Sequence, residues 1–127
     1  MLIREAESAE LVTVIRELFV EYAASLHIDL YLYGFDQELL GLPGPYTRPD
    51  GRLLVAFEGD EAAGCIALKK LKDNSCEMKR LYVRPKFRGQ GIGKALTKAI
   101  ITKAKDIVGY TGIHITWPTC RLLGFIP

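Results

Sequence analysis

The stretch LYVRPKFRGQGIGKALTKAII, Leu81 to Ile101, constrains this chain more than any other. It opens like a strand and closes like a basic amphipathic helix, with glycine at alternate positions of the join: Gly89, Gly91 and Gly93. A helix start leaves backbone N–H groups without acceptors and carries the positive end of the helix dipole. Glycine there removes the side chain that would block an anion, and it permits positive φ. Arg88 before the join and Lys94 just inside it add positive charge, while Pro85 restricts the backbone after the strand. The join is suited to a diphosphate. As a bare structural turn it would need one glycine, or two, but not three between Arg88 and Lys94.

Two familiar phosphate loops do not fit the spacing. The triphosphate loop GxxxxGK[ST] fails because Gly93-Lys94 is followed by Ala95 and the position five before Gly93 is Arg88. The dinucleotide fingerprint GxGxxG fails because the third glycine falls at 93, one residue early.

The rest of the chain supplies a sheet around this join. Leu2–Glu7 reads as a short first strand. From Ser8 to about Leu26 the pattern is helical, with Leu11, Ile15, Leu18, Tyr22 and Leu26 on one side and Val14 and Phe19 beside them. Ser8 is its predicted N-cap, and Glu10 places negative charge at the positive end of the dipole. The segment His27–Leu40 is irregular, with a short helix near Asp36–Leu40, and Pro43–Gly51 is a loop by composition. Arg52–Gly59, Glu61–Leu71 and Ser75–Val83 are strand-length runs separated by turn residues, which predicts an antiparallel meander. After the join, Ala95, Leu96, Ala99, Ile100, Ala104 and Ile107 form one side of a helix that Gly109 should stop. Lys98, Lys103 and Lys105 read as a solvated face. Tyr110–Trp117 is a further strand, and the strand–helix–strand step predicts a right-handed crossover with parallel strands. The order implies an α/β or α+β fold in one domain, residues 1–127, with a sheet covered by helices.

Composition narrows the function classes. Hydrophobic residues are 49% of the 127 and charged residues 25%, enough for a core and a soluble surface. A net charge of +2, without aromatic interleaving along the basic helix, argues against a nucleic-acid partner. No apolar run approaches the span of a bilayer, and no signal peptide is expected after Met1, so neither membrane insertion nor secretion is predicted and the expected location is cytoplasmic. Three irregularly spaced cysteines, Cys65, Cys76 and Cys120, fit a reducing compartment, and two distant histidines give no metal-ligand pattern.

Arg88, Gly91 and Gly93 fit instead the pattern [RQ]-x-x-G-x-[GA]. In this the loop resembles the coenzyme A pyrophosphate loop of the GNAT family of N-acetyltransferases. The run EMKRLYVRPKFRGQGIGKAL is similar to that family's central strand, loop and helix, the upstream element order matches from residue 2, and RLLGF resembles a late element of the family. The resemblance implies an acyl-CoA N-acyltransferase-like fold: a mixed, mainly antiparallel central sheet flanked by helices. It implies acetyl-CoA as acyl donor, a small-molecule or peptide amine as acceptor, and no metal. By position it assigns the pantetheine contacts to the backbone of Leu81, Tyr82 and Val83. It assigns the pyrophosphate to Arg88, Gly89, Gln90, Gly91, Ile92, Gly93 and Lys94. In the family the central strand also splays from its neighbour near a bulge.

An amine attacks only when neutral, so a base must take a proton from it, directly or through water. The resemblance points to Glu77 on the central strand; the competing reading is a carboxylate paired with Lys69 or Lys79. Glu58, at the end of another strand, is the reserve. The family's usual general-acid tyrosine falls here on Cys120. On the acceptor side, Tyr31, Tyr33, Asp36 and Glu38 are the residues that would meet a cationic amine, with core aromatics and helix-start carboxylates as the alternative. The family normally continues past the fifth strand with a helix and two more strands, where this sequence has PTCRLLGFIP. The expected fold therefore lacks most of the last helix and the C-terminal strand pair. That predicts an uncovered sheet edge that dimerises, or a weakly active or inactive remnant. The alternative function is a non-catalytic acyl-CoA binder or regulator.

Overall fold

The computed structural model describes residues 1–72, 75–108 and 113–115. They form a sheet of five strands in sequence order: β1 (Leu2–Glu5), β2 (Gly51–Glu58), β3 (Glu61–Lys70), β4 (Cys76–Val83) and β5 (Ile113–Ile115). The first four are antiparallel neighbours, and β4 pairs with β5 in parallel. The meander and the parallel crossover match the expectation from the sequence. Three helices complete the described architecture: α1 (Ala9–Ser25), α2 (Phe35–Gly41) and α3 (Ile92–Val108). Short 3-10 turns occupy Leu30–Tyr33, Gly44–Tyr46 and Pro85–Phe87.

Local chemistry sets the helix boundaries. The Ser8 hydroxyl accepts the Leu11 N–H at 3.2 Å, as a cap should. The apolar stripe of α1 buries Val12, Ile15, Leu18, Phe19, Tyr22 and Ala23. Leu11, Val14 and Leu26 are only partly buried at its margin. The stripe is thus centred on Val12 and Phe19 rather than on the Leu11–Leu26 line. α2 begins after Gly34, which takes the left-handed conformation at φ 84°.

The sheet separates two apolar clusters. One lies under α1 and α2 and includes Ile15, Phe19, Tyr22, Phe35, Tyr46, Val55, Cys65 and Tyr82. The other lies under α3 and includes Leu54, Ile66, Leu68, Met78, Leu81, Leu96 and Ile100. β3 is covered on both faces, so its residues from Ala62 to Leu68 form an unbroken buried run. Such a run has no alternation, as expected for a central strand. Each large aliphatic side chain buried here contributes about 1.5–3 kcal/mol. Residues 109–112 and 116–127 lie outside the described residues, and with them Gly109 as helix stop, Cys120 and the C-terminal edge from which dimerisation was expected.

Candidate functional site

β4 carries an irregularity that positions everything around it. Cys65 faces Tyr82 and Ala67 faces Lys79, so Arg80 and Leu81 together oppose Ile66 alone. This is a β-bulge, and it slips the side-chain period by one residue. Before it, Cys76 and Met78 face α3; after it, Leu81 and Val83 do, while Tyr82 faces α1. Arg80 is the extra residue and takes φ 59°, the left-handed region, at a cost of about 1–2 kcal/mol. Beside the bulge, β3 and β4 approach closely at Gly64: a Cβ there would lie 2.5 Å from the Tyr82 carbonyl oxygen.

On the other edge of β4, pairing with β5 runs from Cys76 to Met78. Among the described residues no strand covers that edge from Lys79 to Val83. Leu81, Tyr82 and Val83 thus have their side chains committed to the two cores or their margin, and their edge away from β3 has no strand partner among the described residues, with the Val83 carbonyl taken by Arg88.

The glycine join follows directly. Gly89 and Gly91 both sit at φ 81°, where a residue with a Cβ is strained, and each faces open space. Gly93 differs: it is helical, and a Cβ on it would rest 3.8 Å from Val83 Cγ2, an ordinary contact. Ala95 N–H makes the first helical bond, to the Gly91 carbonyl at 3.0 Å. Between Gly89 and Lys94 no backbone N–H has an acceptor among the described residues. Ile92 anchors the join in the α3 core, whereas Gln90 and Lys94 are exposed. Arg88 turns back: its Nε donates to the Val83 carbonyl at 2.9 Å, and its guanidinium lies 5.8 Å from the Tyr82 ring centre. Arg84, between strand and join, forks onto Glu21 of α1 and donates to the Ala62 carbonyl at 2.9 Å. The Arg84 fork holds the Glu21 carboxyl below the usual carboxylate range, against its partial burial.

Glu77 lies on β4 three residues before the bulge. It faces two cations, Lys69 Nζ at 3.5 Å and Lys79 Nζ at 3.7 Å. Burial, followed by the Arg80 charge, lowers the Lys79 ammonium from its ordinary value. Glu58 is at the far end of the sheet: it opposes Glu61, while Glu77 opposes Lys69, eight residues along β3, or about 26 Å at strand spacing.

The acceptor-side residues divide. Tyr31, Tyr33 and Asp36 are exposed. Glu38 is turned inward and held by Arg80 through two hydrogen bonds, Nε to Oε2 at 2.9 Å and Nη2 to Oε1 at 2.8 Å. Burial pushes the Glu38 carboxyl up, but the Arg80 fork outweighs it and the net shift is downward. Tyr46 is buried beside this pair, and burial together with the Glu38 charge raises its hydroxyl. Arg80 and Arg84 went unnoticed in the sequence because their partners are 42 and 63 residues away. The run Lys79-Arg80 inside a strand, two cations on consecutive positions, is the one local sign of a disturbed alternation.

A bulge in β4, an edge that no described strand covers past Met78 and a glycine join opening α3 are the features that the sequence resemblance leads one to expect. A family model described as the Acetyltransferase (GNAT) family matches residues 11–124. An uncharacterized N-acetyltransferase of Schizosaccharomyces pombe is 39% identical, covering 76% of this chain and 60% of its own. One of Dictyostelium discoideum is 28% identical, covering 84% of this chain and 77% of its own. The crystal structure of a predicted acetyltransferase with acetyl-CoA from Clostridium acetobutylicum superposes with a TM-score of 0.67 at 16% identity, covering 99% of this chain and 90% of that one. This chain belongs to the GNAT acetyltransferase family and is by class an N-acetyltransferase. No described helix is long and apolar enough to cross a membrane.

Proposed function

We propose that this protein transfers the acetyl group of acetyl-CoA to an amine of a small molecule or peptide, by direct attack within a ternary complex. The observation that carries this reading is the run of N–H groups from Gly89 to Lys94 that have no acceptor among the described residues, beside glycines that face open space. These groups, with Lys94, would hold the diphosphate of coenzyme A. Arg88 would brace the loop through the Val83 carbonyl it already binds. The edge of β4 at Leu81, Tyr82 and Val83, which no described strand covers, would pair with the amides of the pantetheine arm. The N–H of Leu81, at the bulge, would polarise the thioester carbonyl.

Glu77 would take a proton from the acceptor ammonium, directly or through water. The neutral amine nitrogen then attacks the thioester carbonyl carbon, a C–N bond forms and the C–S bond breaks; the nitrogen gives up a second proton to water as the amide forms, and the departing coenzyme A thiolate takes a proton from water. Calorimetric titration with acetyl-CoA tests the first half, and thiol release across a panel of amines tests the second. Titration without heat at millimolar acetyl-CoA would end the reading.

The contact of Glu77 with both Lys69 and Lys79 supports a second reading, a non-catalytic acyl-CoA binder. It predicts the same titration and no thiol release with any amine.

A further inference from the structure

Arg80 occupies a backbone position that a glycine would adopt without strain. Its side chain, not its backbone, therefore accounts for an arginine there. The guanidinium lies 5.3 Å from the Phe35 ring centre and 5.7 Å from that of Tyr22, and its fork is closed by Glu38. We propose that the Arg80–Glu38 ion pair is a positioning clamp that sets the acceptor-side helix α2 against the acyl-donor strand β4, so that occupation of β4 is felt in α2. The roles given to the two sides rest on the acetyl-transfer reading.

α2 has little else to hold it. It has seven residues, too few to persist as a helix alone, and only Phe35 is buried. Leu40 is 79% exposed, and Tyr33 just before the helix is 80% exposed. Its other described ties are the hydrogen bond from Arg16 Nε to the Leu39 carbonyl at 3.1 Å, the partly buried Leu39 side chain at the core margin, and the edge contact of Phe35 with Tyr31. The Arg80 guanidinium is one of the groups that cover Phe35, with Tyr31 and the core beside it. The pair is shielded from screening, with side chains 12% and 16% exposed for Arg80 and Glu38. Two parallel bonds fix both distance and orientation, which a lysine at position 80 would not do. Arg80 also has its carbonyl within 3.5 Å of the buried Cys65 Sγ, so the bulge is held on both sides. A shift of the β4 backbone at the bulge is therefore passed to Glu38, and from there to α2.

The test uses the whole chain and three single variants, Arg80→Gly, Glu38→Gln and Arg80→Lys, with the Arg80→Gly/Glu38→Gln double. Hydrogen–deuterium exchange is followed at residues 36–41 and 89–94, without and with acetyl-CoA. Without ligand, exchange in α2 should rise about tenfold in Arg80→Gly and Glu38→Gln and no further in the double, with Arg80→Lys between. In the wild type, acetyl-CoA should slow exchange in α2 as well as in the loop. In the variants it should protect the loop alone. With the panel amine that turns over fastest, both variants should raise the acceptor KM about tenfold while the KM for acetyl-CoA stays within about twofold. Unchanged exchange in α2, or a rise spread evenly over the whole sheet, would show an ordinary structural ion pair and overturn the clamp. If acetyl-CoA protected nothing in the wild type, the acetyl-transfer reading would fall instead, and the ligand-free comparison would still decide the clamp.

Discussion

Gly91 and Gly93 stand two residues apart, yet substitutions at them should behave differently. Gly91 is left-handed and faces open space, so a β-branched side chain there is strained and also projects where a ligand would approach. Gly91→Val should weaken acetyl-CoA binding by about tenfold or more and cost about 1–2 kcal/mol of stability, read by titration and thermal melting. Gly93 is already helical with room for a methyl group. Gly93→Ala should keep the affinity within about threefold and leave stability unchanged or up to about 1 kcal/mol higher. Equal loss of binding at both positions would contradict the loop geometry. At Glu77 the question is protonation rather than shape. Glu77→Gln should lower kcat by about a hundredfold, leave acetyl-CoA affinity within about twofold, and flatten the acid limb of the pH–rate profile. A profile that kept its shape would remove Glu77 as the base. The glycine join was legible in the sequence because its chemistry is local: each glycine, arginine and lysine lies within seven residues of the next. The positive φ of Arg80 was not legible: the resemblance implied a bulge near this strand and the Lys79-Arg80 run disturbs its alternation, but neither says which residue turns left-handed.

At the scale of elements, the crowded contact is between β3 and β4. Gly64 opposes Val83, and an added Cβ would collide with the backbone of Tyr82, which has no flexible end to yield. Gly64→Ala should destabilise the protein by about 1–3 kcal/mol in urea unfolding. It should also reduce acetyl-CoA affinity, because the strand it displaces is the proposed donor strand. A destabilised protein with unchanged affinity would separate the bulge from the ligand edge. The strands, their order and the lysine-bearing helix could be read from period and turn residues alone. Their details could not: the 3-10 turn at Leu30–Tyr33 is closed by Asp29, whose carboxylate accepts the Tyr31 N–H at 3.0 Å. That turn carries no apolar period for a sequence reading to find.

For the whole molecule, Glu5 joins parts that the sequence keeps distant. Its carboxylate meets Arg48 in the loop before β2, Arg52 of β2 and Lys103 of α3. The Arg48 guanidinium holds the Glu5 carboxyl at about 2, against the upward push of burial, and Lys103 helps. The unfolded chain would titrate this group near 4.5, so its stabilising effect is complete above that pH and disappears as pH falls toward 2. Glu5→Gln should lower the melting temperature at pH 7 and show a smaller further loss between pH 4.5 and 2 than the wild type. Parallel acid limbs for the two proteins would refute this account. Lys103, read as one member of a solvated face, is here a half-buried partner. By itself the sequence determined the element order, the antiparallel run of strands and the glycine-rich start of α3, since each follows from residues within a single turn or strand of one another. Only the tertiary structure decided which charges meet. It placed Arg80 on Glu38, Arg84 on Glu21 and three cations around Glu5, because ion pairing depends on separation in space, and that separation exists only once the sheet has brought remote segments together.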